Sequence, residues 1–278
     1  MLNDPKSLNG ADSTPISPES KIVWPSVSVI LNTHPEAHHM LGRALESVFV
    51  QTFTDFELIV VCDGPPNKET TDVVDSFNER FIAKGIAGRF LATEDRFGSQ
   101  AGPKNWAIYH STGNYVAFLD GDNTWEPDHL EVLYESARET EVWPDFTYGR
   151  RTYVRDEGAP EKVGDIVLGE GDSPFVPWDA NAVERLCGSN ASPMENFIDT
   201  SDFLISRGAL YWKMSRTGWI WNEKHRRWGD WILMVEGIKF TGWRGKGVDK
   251  ILSTYHWTSQ NICHSRPNSE GVRAESMA

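Results

Sequence analysis

Short apolar runs alternate with amphipathic stretches through the first half of the chain. Val27–Asn32 (VSVILN), Phe56–Cys62 (FELIVVC) and Tyr115–Leu119 (YVAFL) are almost continuously apolar, the pattern of strands buried on both faces of a sheet. Between them, Glu36–Val50 sets Met40, Leu41, Ala44, Leu45, Val48 and Phe49 on one helical stripe, and Asn67–Ala83 does the same with Val73, Val74, Phe77 and Phe81. Arg89–Ala92 reads as a short strand and Gly102–His110 as a helix. Trp125–Glu139 reads as a further helix, with Pro127 in its first turn, where a missing N–H costs nothing. Strands alternating with helices predict an α/β domain: a mainly parallel sheet with helices on both faces.

The second half is less regular. Asp145–Val154 suits a strand pair, 156–195 a long loop region rich in Gly, Pro, Asp and Asn, and Phe197–Ile205 a strand. Arg207–Met214 and Asp230–Phe240 suit helices, and Ile251–His256 a last strand. Residues 1–22 and 266–278 are rich in small and polar residues and read as tails. No internal repeat is visible. The division expected is a first half over 23–125 and a second half over 126–265.

Composition narrows the function. The 278 residues carry 27 Lys and Arg against 40 Asp and Glu, a formal charge of −13. Such a balance opposes nucleic-acid binding through phosphate contacts and docking on an anionic bilayer. No apolar run approaches the roughly 18 residues of a membrane span, so at most peripheral association is expected. The N-terminal segment lacks the apolar core of a signal peptide. Cys62, Cys187 and Cys263 are odd in number, with no CxxC pair, which fits neither a disulfide scaffold nor a zinc ribbon and points to the cytoplasm.

Candidate chemistry gathers where the strands end. Asp120-Gly121-Asp122-Asn123 follows YVAFL directly, Asp63 ends the second strand and Asn32 the first. In an open parallel sheet, ligands bind beyond the carboxyl ends of the strands. Two carboxylates at i and i+2 on such a turn can face one hard cation, Mg²⁺ or Mn²⁺, which completes its shell with phosphate oxygens and water. The same residues are ordinary turn formers. Asp63 can accept from N3–H of uracil or thymine, or from guanine N1–H and N2–H, and can equally serve as a turn or cap residue.

The order of these segments is similar to that of the nucleotide-binding half of GT-A glycosyltransferases of family 2. Over residues 26–135 the chain shows VSVILNTH, then Ser47-Val48-Phe49-Val50-Gln51-Thr52 for S-[VIL]-x-x-Q-[TS], then a strand ending in Asp63-Gly64. Lys104-Asn105-Trp106-Ala107 stands for RN-x-[GA], and Ser111–Asn123 (STGNYVAFLDGDN) for A-x-G-x-Y-[IV]-x-[FL]-D-x-D-[DN]. The chain departs from the pattern at Asn32-Thr33-His34, at Cys62, and at Lys104, which keeps the charge of the usual Arg without its bidentate fork.

The resemblance implies a metal-dependent, inverting transferase with a GT-A (Rossmann-like) sheet and a smaller mixed acceptor-side region. It would move a sugar from a nucleoside diphosphate sugar, a UDP-sugar by preference, to the hydroxyl of a glycan, lipid-linked, protein or small-molecule acceptor. Asn32, Asp63, Lys104, Asp120, Gly121 and Asp122 would hold the donor, with Asp122 and Asp120 on Mn²⁺ or Mg²⁺. Inversion by single displacement needs a base on the acceptor side, and Asp230, in Gly229-Asp230 at the head of a helix, fills the family's place for it. Asp199–Phe203 resembles the strand lining the acceptor pocket, which nominates Thr200 and Asp202. The Thr254–Asn261 segment resembles the one closing over the diphosphate, with His256 or His264 as a further metal ligand. Seven of the 12 Trp lie between Trp212 and Trp257. Most should pack, while Trp228, Trp231 or Trp221 stacks on a sugar. Two alternatives stand beside this reading. One is a binding module that keeps the fold without turnover. The other is a sugar nucleotidyltransferase, disfavoured because THPEAHH after the first strand lacks the Gly-rich phosphate loop.

Overall fold

A computed structural model of the chain describes residues 24–139, 143–163, 166–167, 169–193 and 196–258. The two expected tails, and His264, lie outside the described residues.

The strands β1 (Val27–Thr33), β2 (Phe56–Cys62), β3 (Gly88–Ala92) and β4 (Tyr115–Asp120) form a parallel block in the order β3-β2-β1-β4. Side chains alternate between two cores, which explains why these runs are nearly continuously apolar. Ile30, Ile59, Val61, Val116 and Phe118 face one core. Val29, Leu31, Leu58, Val60, Ala117 and Leu119 face the other. Full burial of each such Val, Leu, Ile or Phe side chain contributes about 1.5–3 kcal/mol. The helices α1 (His38–Phe49), α2 (Lys68–Ala83) and α4 (His129–Arg138) cover the second core through Leu41, Leu45, Phe81, Leu130 and Leu133. The helix α3 (Ala101–Tyr109) covers the first through Ala107 and Ile108.

The second half extends the same sheet. β10 (Phe203–Ser206) runs antiparallel between β4 and β6 (Phe146–Arg155), and β11 (Gly245–Trp257) lies parallel to β6. The two-residue β5 (Thr124–Trp125) pairs with β11 beyond the DxD turn, so pairing crosses the boundary between the two expected halves. α6 (Arg207–Thr217), α7 (Gly229–Thr241) and α5 (Ala180–Cys187) pack on the first core through Leu210, Leu233, Met234 and Leu186. Among the described residues no helix is long and apolar enough to cross a membrane.

In the second half three expectations need correction. Asp145–Val154 is one long strand and not a pair, because its partners are the distant β10 and β11. Residues 156–195 hold α5, capped by the Asp179 side chain on Asn181 and Ala182 N–H, a two-strand hairpin of β7 (Lys162–Val163) and β8 (Ile166–Val167), and β9 (Gly171–Asp172) against β6. The strand expected from Phe197 begins only at Phe203, after a 3₁₀ turn over Thr200–Asp202.

Candidate functional site

The paired register of β1, β2 and β4 brings Asn32, Cys62 and Asp120 to one edge, since Asn32 is opposite Asp120 and Thr33 opposite Cys62. A cavity of about 320 Å³ opens there. Its walls include Asn32, Asp63, Asp120, Gly121 and Asp122 from the parallel block, and Asp199, Thr200, Trp228 and Asp230 from the second half.

The DxD turn is fixed from several sides. Gly121 N–H donates to Asn32 O at 2.9 Å, and Asn123 N–H to Asp120 O at 2.9 Å. Ser201 Oγ accepts from Asp120 N–H and from Asn123 Nδ2. The Arg43 guanidinium donates to Asp122 O at 3.0 Å while paired with Asp156. Only glycine fits at 121 without a shift, because a Cβ there would lie 3.0 Å from Asn32 O and 3.2 Å from Thr33 Oγ1.

Charge is distributed unevenly. Asp120 accepts from Lys104 Nζ at 2.9 Å. Lys104 is fully buried behind the turn and is not a cavity wall. Its ammonium also donates to Gln100 and sits 4.6 Å from the Trp221 ring. Lys104 therefore acts on the site through Asp120. Burial and then the neighbouring Asp120 push the Asp122 carboxyl up to about 7. The Asn32 Oδ1, also buried, has no hydrogen-bond partner, an unsatisfied acceptor of the kind that ligand-binding surfaces leave open.

Asp63 is held by the loop it faces: its two oxygens accept from Phe97 N–H at 2.8 Å and Gly98 N–H at 2.9 Å. It lines the cavity with part of its acceptor capacity already used.

On the other side, the 3₁₀ turn sorts the two aspartates of Asp199–Asp202. Asp199 caps the turn and lines the cavity. Asp202, expected in the acceptor pocket, lies beneath it at 1% exposure. Its carboxylate pairs with Arg151 at 2.7 Å and accepts from Ser253 Oγ and Asp199 N–H. Thr200 lines the cavity and donates to Gln100 at 3.1 Å. Asp230 lies in the first turn of α7 but is not its cap. That place belongs to Trp228, whose left-handed backbone (φ 58°) is the one such conformation outside glycine among the described residues. Asp230 Oδ2 accepts from Asn196 Nδ2 at 2.8 Å. Burial, followed by Asp120, raises the Asp230 carboxyl above the ordinary carboxylate range. Burial likewise raises Asp199 well above that range, with Asp230, Asp202 and Asp120 adding to it against Arg151.

Besides Asp202, two further expectations about site residues fail on geometry. His256 is buried and is not a cavity wall; its Nδ1 meets Asp156 at 2.8 Å and its Nε2 meets Thr124 Oγ1 at 3.3 Å, so both ring nitrogens are engaged. Trp231 and Trp221 are core residues, at 8% and 0% exposure. The aromatic wall is made by Trp228 with Tyr153, Tyr255 and Trp257, the last stacked on Tyr153 at 12°.

Among the described residues no group of three or more His, Cys, Asp or Glu converges as a metal site. A cation here would take Asp122 and Asp120 as its protein ligands and complete its shell with ligand and water oxygens, a donor set suited to Mg²⁺ or Mn²⁺. A cation would also offset the crowding of negative charge that raises Asp122.

Residues missing from the sequence reading are Arg151, Asp199, Asn196 and Gln100. Arg151 stands beside Arg150 in a mixed strand, FTYGRRTYVR, which does not single it out, and its partner lies 51 positions away.

The sequence profile of Glycosyl transferase family 2 matches residues 28–181, more than half of the chain. An uncharacterised glycosyltransferase of Methanocaldococcus jannaschii is 34% identical over 111 residues, covering 40% of this chain and 37% of the relative. The UDP-Glc:alpha-D-GlcNAc-diphosphoundecaprenol beta-1,3-glucosyltransferase WfgD of Escherichia coli is 27% identical over 143 residues, covering 49% and 52%. The chain thus spans about half or less of these relatives' lengths. In structure, Staphylococcus aureus TarS in complex with UDP-GlcNAc superposes with a TM-score of 0.63 at 18% identity, over 88% of this chain and 62% of that one. The likeness is one of fold: a GT-A sheet.

Proposed function

The chain belongs to glycosyl transferase family 2, and from that premise we propose that it transfers a sugar from a nucleoside diphosphate sugar to an acceptor hydroxyl with inversion, assisted by a divalent cation. The observation that carries the proposal is the convergence of Asp120 and Asp122 with Asp230 on one cavity, from opposite halves of the sheet.

Asn32 and Asp63 lie at the ends of β1 and β2, where a nucleotide base and ribose would sit in a parallel sheet. Because Asp120 is engaged with Lys104, Asp122 is the better direct ligand for Mn²⁺ or Mg²⁺. When bound, the cation supplies charge stabilisation to the departing diphosphate. Asp230 takes the acceptor proton as the hydroxyl attacks. Its raised affinity for protons suits a base, and Asn196 fixes one of its oxygens so that the carboxylate is oriented. Trp228 and Thr200 border the acceptor space, the first offering a face to sugar C–H groups. The UDP preference is supported by the donor named for WfgD and by the UDP-GlcNAc complex of the TarS neighbour. The free Cys62 and Cys187 support a cytoplasmic site of action.

A thermal-shift panel of UDP, dTDP, GDP and CMP, each with Mn²⁺ or EDTA, tests the donor assignment. A ligand at 100 times its Kd stabilises the native state by about 2.7 kcal/mol, so a metal-dependent rise with one diphosphate is expected. Sugar-nucleotide turnover that persists undiminished in Asp122→Asn would overturn the metal assignment. Binding without any turnover would favour a binding module.

A further inference from the structure

Gln100 stands at the N-cap place of α3, yet its side chain makes no capping bond. It lines the cavity instead. Two donors meet its amide oxygen: the Lys104 ammonium and, at 3.1 Å, the Thr200 hydroxyl. An ammonium only donates, so the oxygen and not the nitrogen of the amide faces Lys104. With both lone pairs of that oxygen engaged, the amide has one orientation. Its Nε2, carrying two N–H donors, is turned away from Lys104.

Nε2 is accessible, and among the described residues no acceptor takes either N–H. Gly229 makes room for it. A Cβ at 229 would stand 3.2 Å from Nε2 and 3.5 Å from Gln100 Cγ, so a larger residue just ahead of Asp230 would press on the amide. Solvent can satisfy these N–H groups in the free protein, so what they select follows from where they sit.

That place is set from both ends. On the diphosphate side, the ammonium that holds the amide oxygen also holds Asp120 at 2.9 Å. On the acceptor side, the amide is bonded to Thr200 and packs on Gly229, the residue before Asp230. In a single displacement the anomeric carbon lies in line between the departing phosphate oxygen and the entering hydroxyl. The sugar in transit therefore lies between the DxD turn and Asp230, alongside Gln100. Ionised carboxylates such as Asp120, Asp122 and Asp230 only accept hydrogen bonds. The Gln100 amide offers the complementary donors to the sugar's own oxygens.

We propose that Gln100 recognises the donor sugar. Its Nε2 donates to an oxygen acceptor on the transferred ring, a hydroxyl or the carbonyl of an acetamido group, while its oxygen holds Lys104 and Thr200. The inference rests on the transferase reading above and deepens it.

The rival is a residue that only bridges Lys104 and Thr200. Gln100→Glu keeps an oxygen for both partners and removes the two N–H donors. Gln100→Met removes donors and acceptor without adding charge. The probes are UDP, UDP-glucose and UDP-GlcNAc with Mg²⁺, followed by calorimetry on the wild type and both variants. The quantity read is the Kd of the sugar nucleotide divided by that of UDP. Both variants should raise this ratio by roughly three- to tenfold, the loss of one hydrogen bond, with the Kd for UDP in Gln100→Glu kept within about twofold. A rise for both sugars assigns the bond to a hydroxyl they share, and a rise for UDP-GlcNAc alone assigns it to the acetamido carbonyl. A rise in Gln100→Met alone leaves Gln100 as a bridge and overturns the proposal. A rise in Gln100→Glu alone is charge repulsion and overturns it too. So does an unchanged ratio in both, including an equal loss for UDP and sugar nucleotide, which places the effect on the diphosphate through Lys104 and Asp120. A wild type that binds UDP but neither sugar nucleotide overturns it as well. If UDP itself does not bind the wild type, the UDP-donor reading falls first, and this proposal with it.

Discussion

Asp120 and Asp122 are two residues apart and sit in different electrostatic surroundings. Lys104 is within 2.9 Å of Asp120. Asp122 has burial and a like charge pressing it toward the neutral form, up to about 7. Asp122→Asn should therefore abolish metal-dependent turnover, while Lys104→Met should lower it by misplacing Asp120; activity over a Mn²⁺ titration distinguishes them, because excess metal restores only the second. Asp230 carries a further expectation. A base must be unprotonated to act, so activity should rise as pH increases through its raised pKa and reach a plateau above it. Asp230→Asn should reduce kcat by roughly 10²–10⁴-fold and flatten that limb, with the thermal shift given by nucleotide retained. A pH–rate profile for both proteins checks it.

At the scale of elements, the site depends on closely packed turns. Gly121→Ala would drive a Cβ against Asn32 O and Thr33 Oγ1, and the DxD turn would have to move. We expect at least a tenfold loss of activity with about 1–2 kcal/mol of destabilisation, read by kinetics and denaturant melts on the same protein. The Thr200–Asp202 turn depends on the buried Arg151–Asp202 pair. Asp202→Ala removes the nearer of the guanidinium's two carboxylates and leaves Asp199 at 4.0 Å, and breaking a buried pair costs up to about 3–5 kcal/mol. The ends of β1, β2 and β4 were legible because strands buried on both faces are written as nearly continuous apolar runs, and Asn32, Asp63 and the DxD stand where those runs end. The start of α4 was misread: Trp125 belongs to β5, whose two residues pair with β11 across more than 120 positions, and no local pattern announces that. The turn before β10 was misread as strand because Asp199-Thr200-Ser201-Asp202 has no apolar period of its own. Its conformation is set by a capping box between the two aspartates, and that choice decides which of them faces the cavity.

For the molecule as a whole, the cavity carboxylates and the ion-paired carboxylates elsewhere pull stability in opposite directions with pH. Glu57 is buried in β2. Burial opposes its charge, but bonds from Thr112 and Ser28 and the Arg89 pair overcome that and hold its carboxyl below the ordinary value. Asp156 is also held low, its burial outweighed by Arg43 and His256. Groups of this kind contribute stability above their unfolded pKa, and it is lost as pH falls through the folded value. Asp122, Asp199 and Asp230 do the reverse. Their folded carboxyls are raised above the unfolded value of about 3.9, so the folded chain binds more protons than the unfolded one. Stability contributed by those protons is full below that value and drains away as pH rises through the raised folded values, about 7 for Asp122. The ligand-free protein should consequently be most stable in mildly acidic solution and soften toward neutrality. Asp199→Asn should flatten the decline, because it removes a charge whose burial Arg151 offsets only in part. A bound cation competes with the protons for Asp122, so the Tm gained from Mn²⁺ with UDP should grow between pH 5.5 and 8. Melting curves of the free and liganded protein across that range test it; a gain that stays constant would mean that the cation does not bind where these carboxylates crowd together.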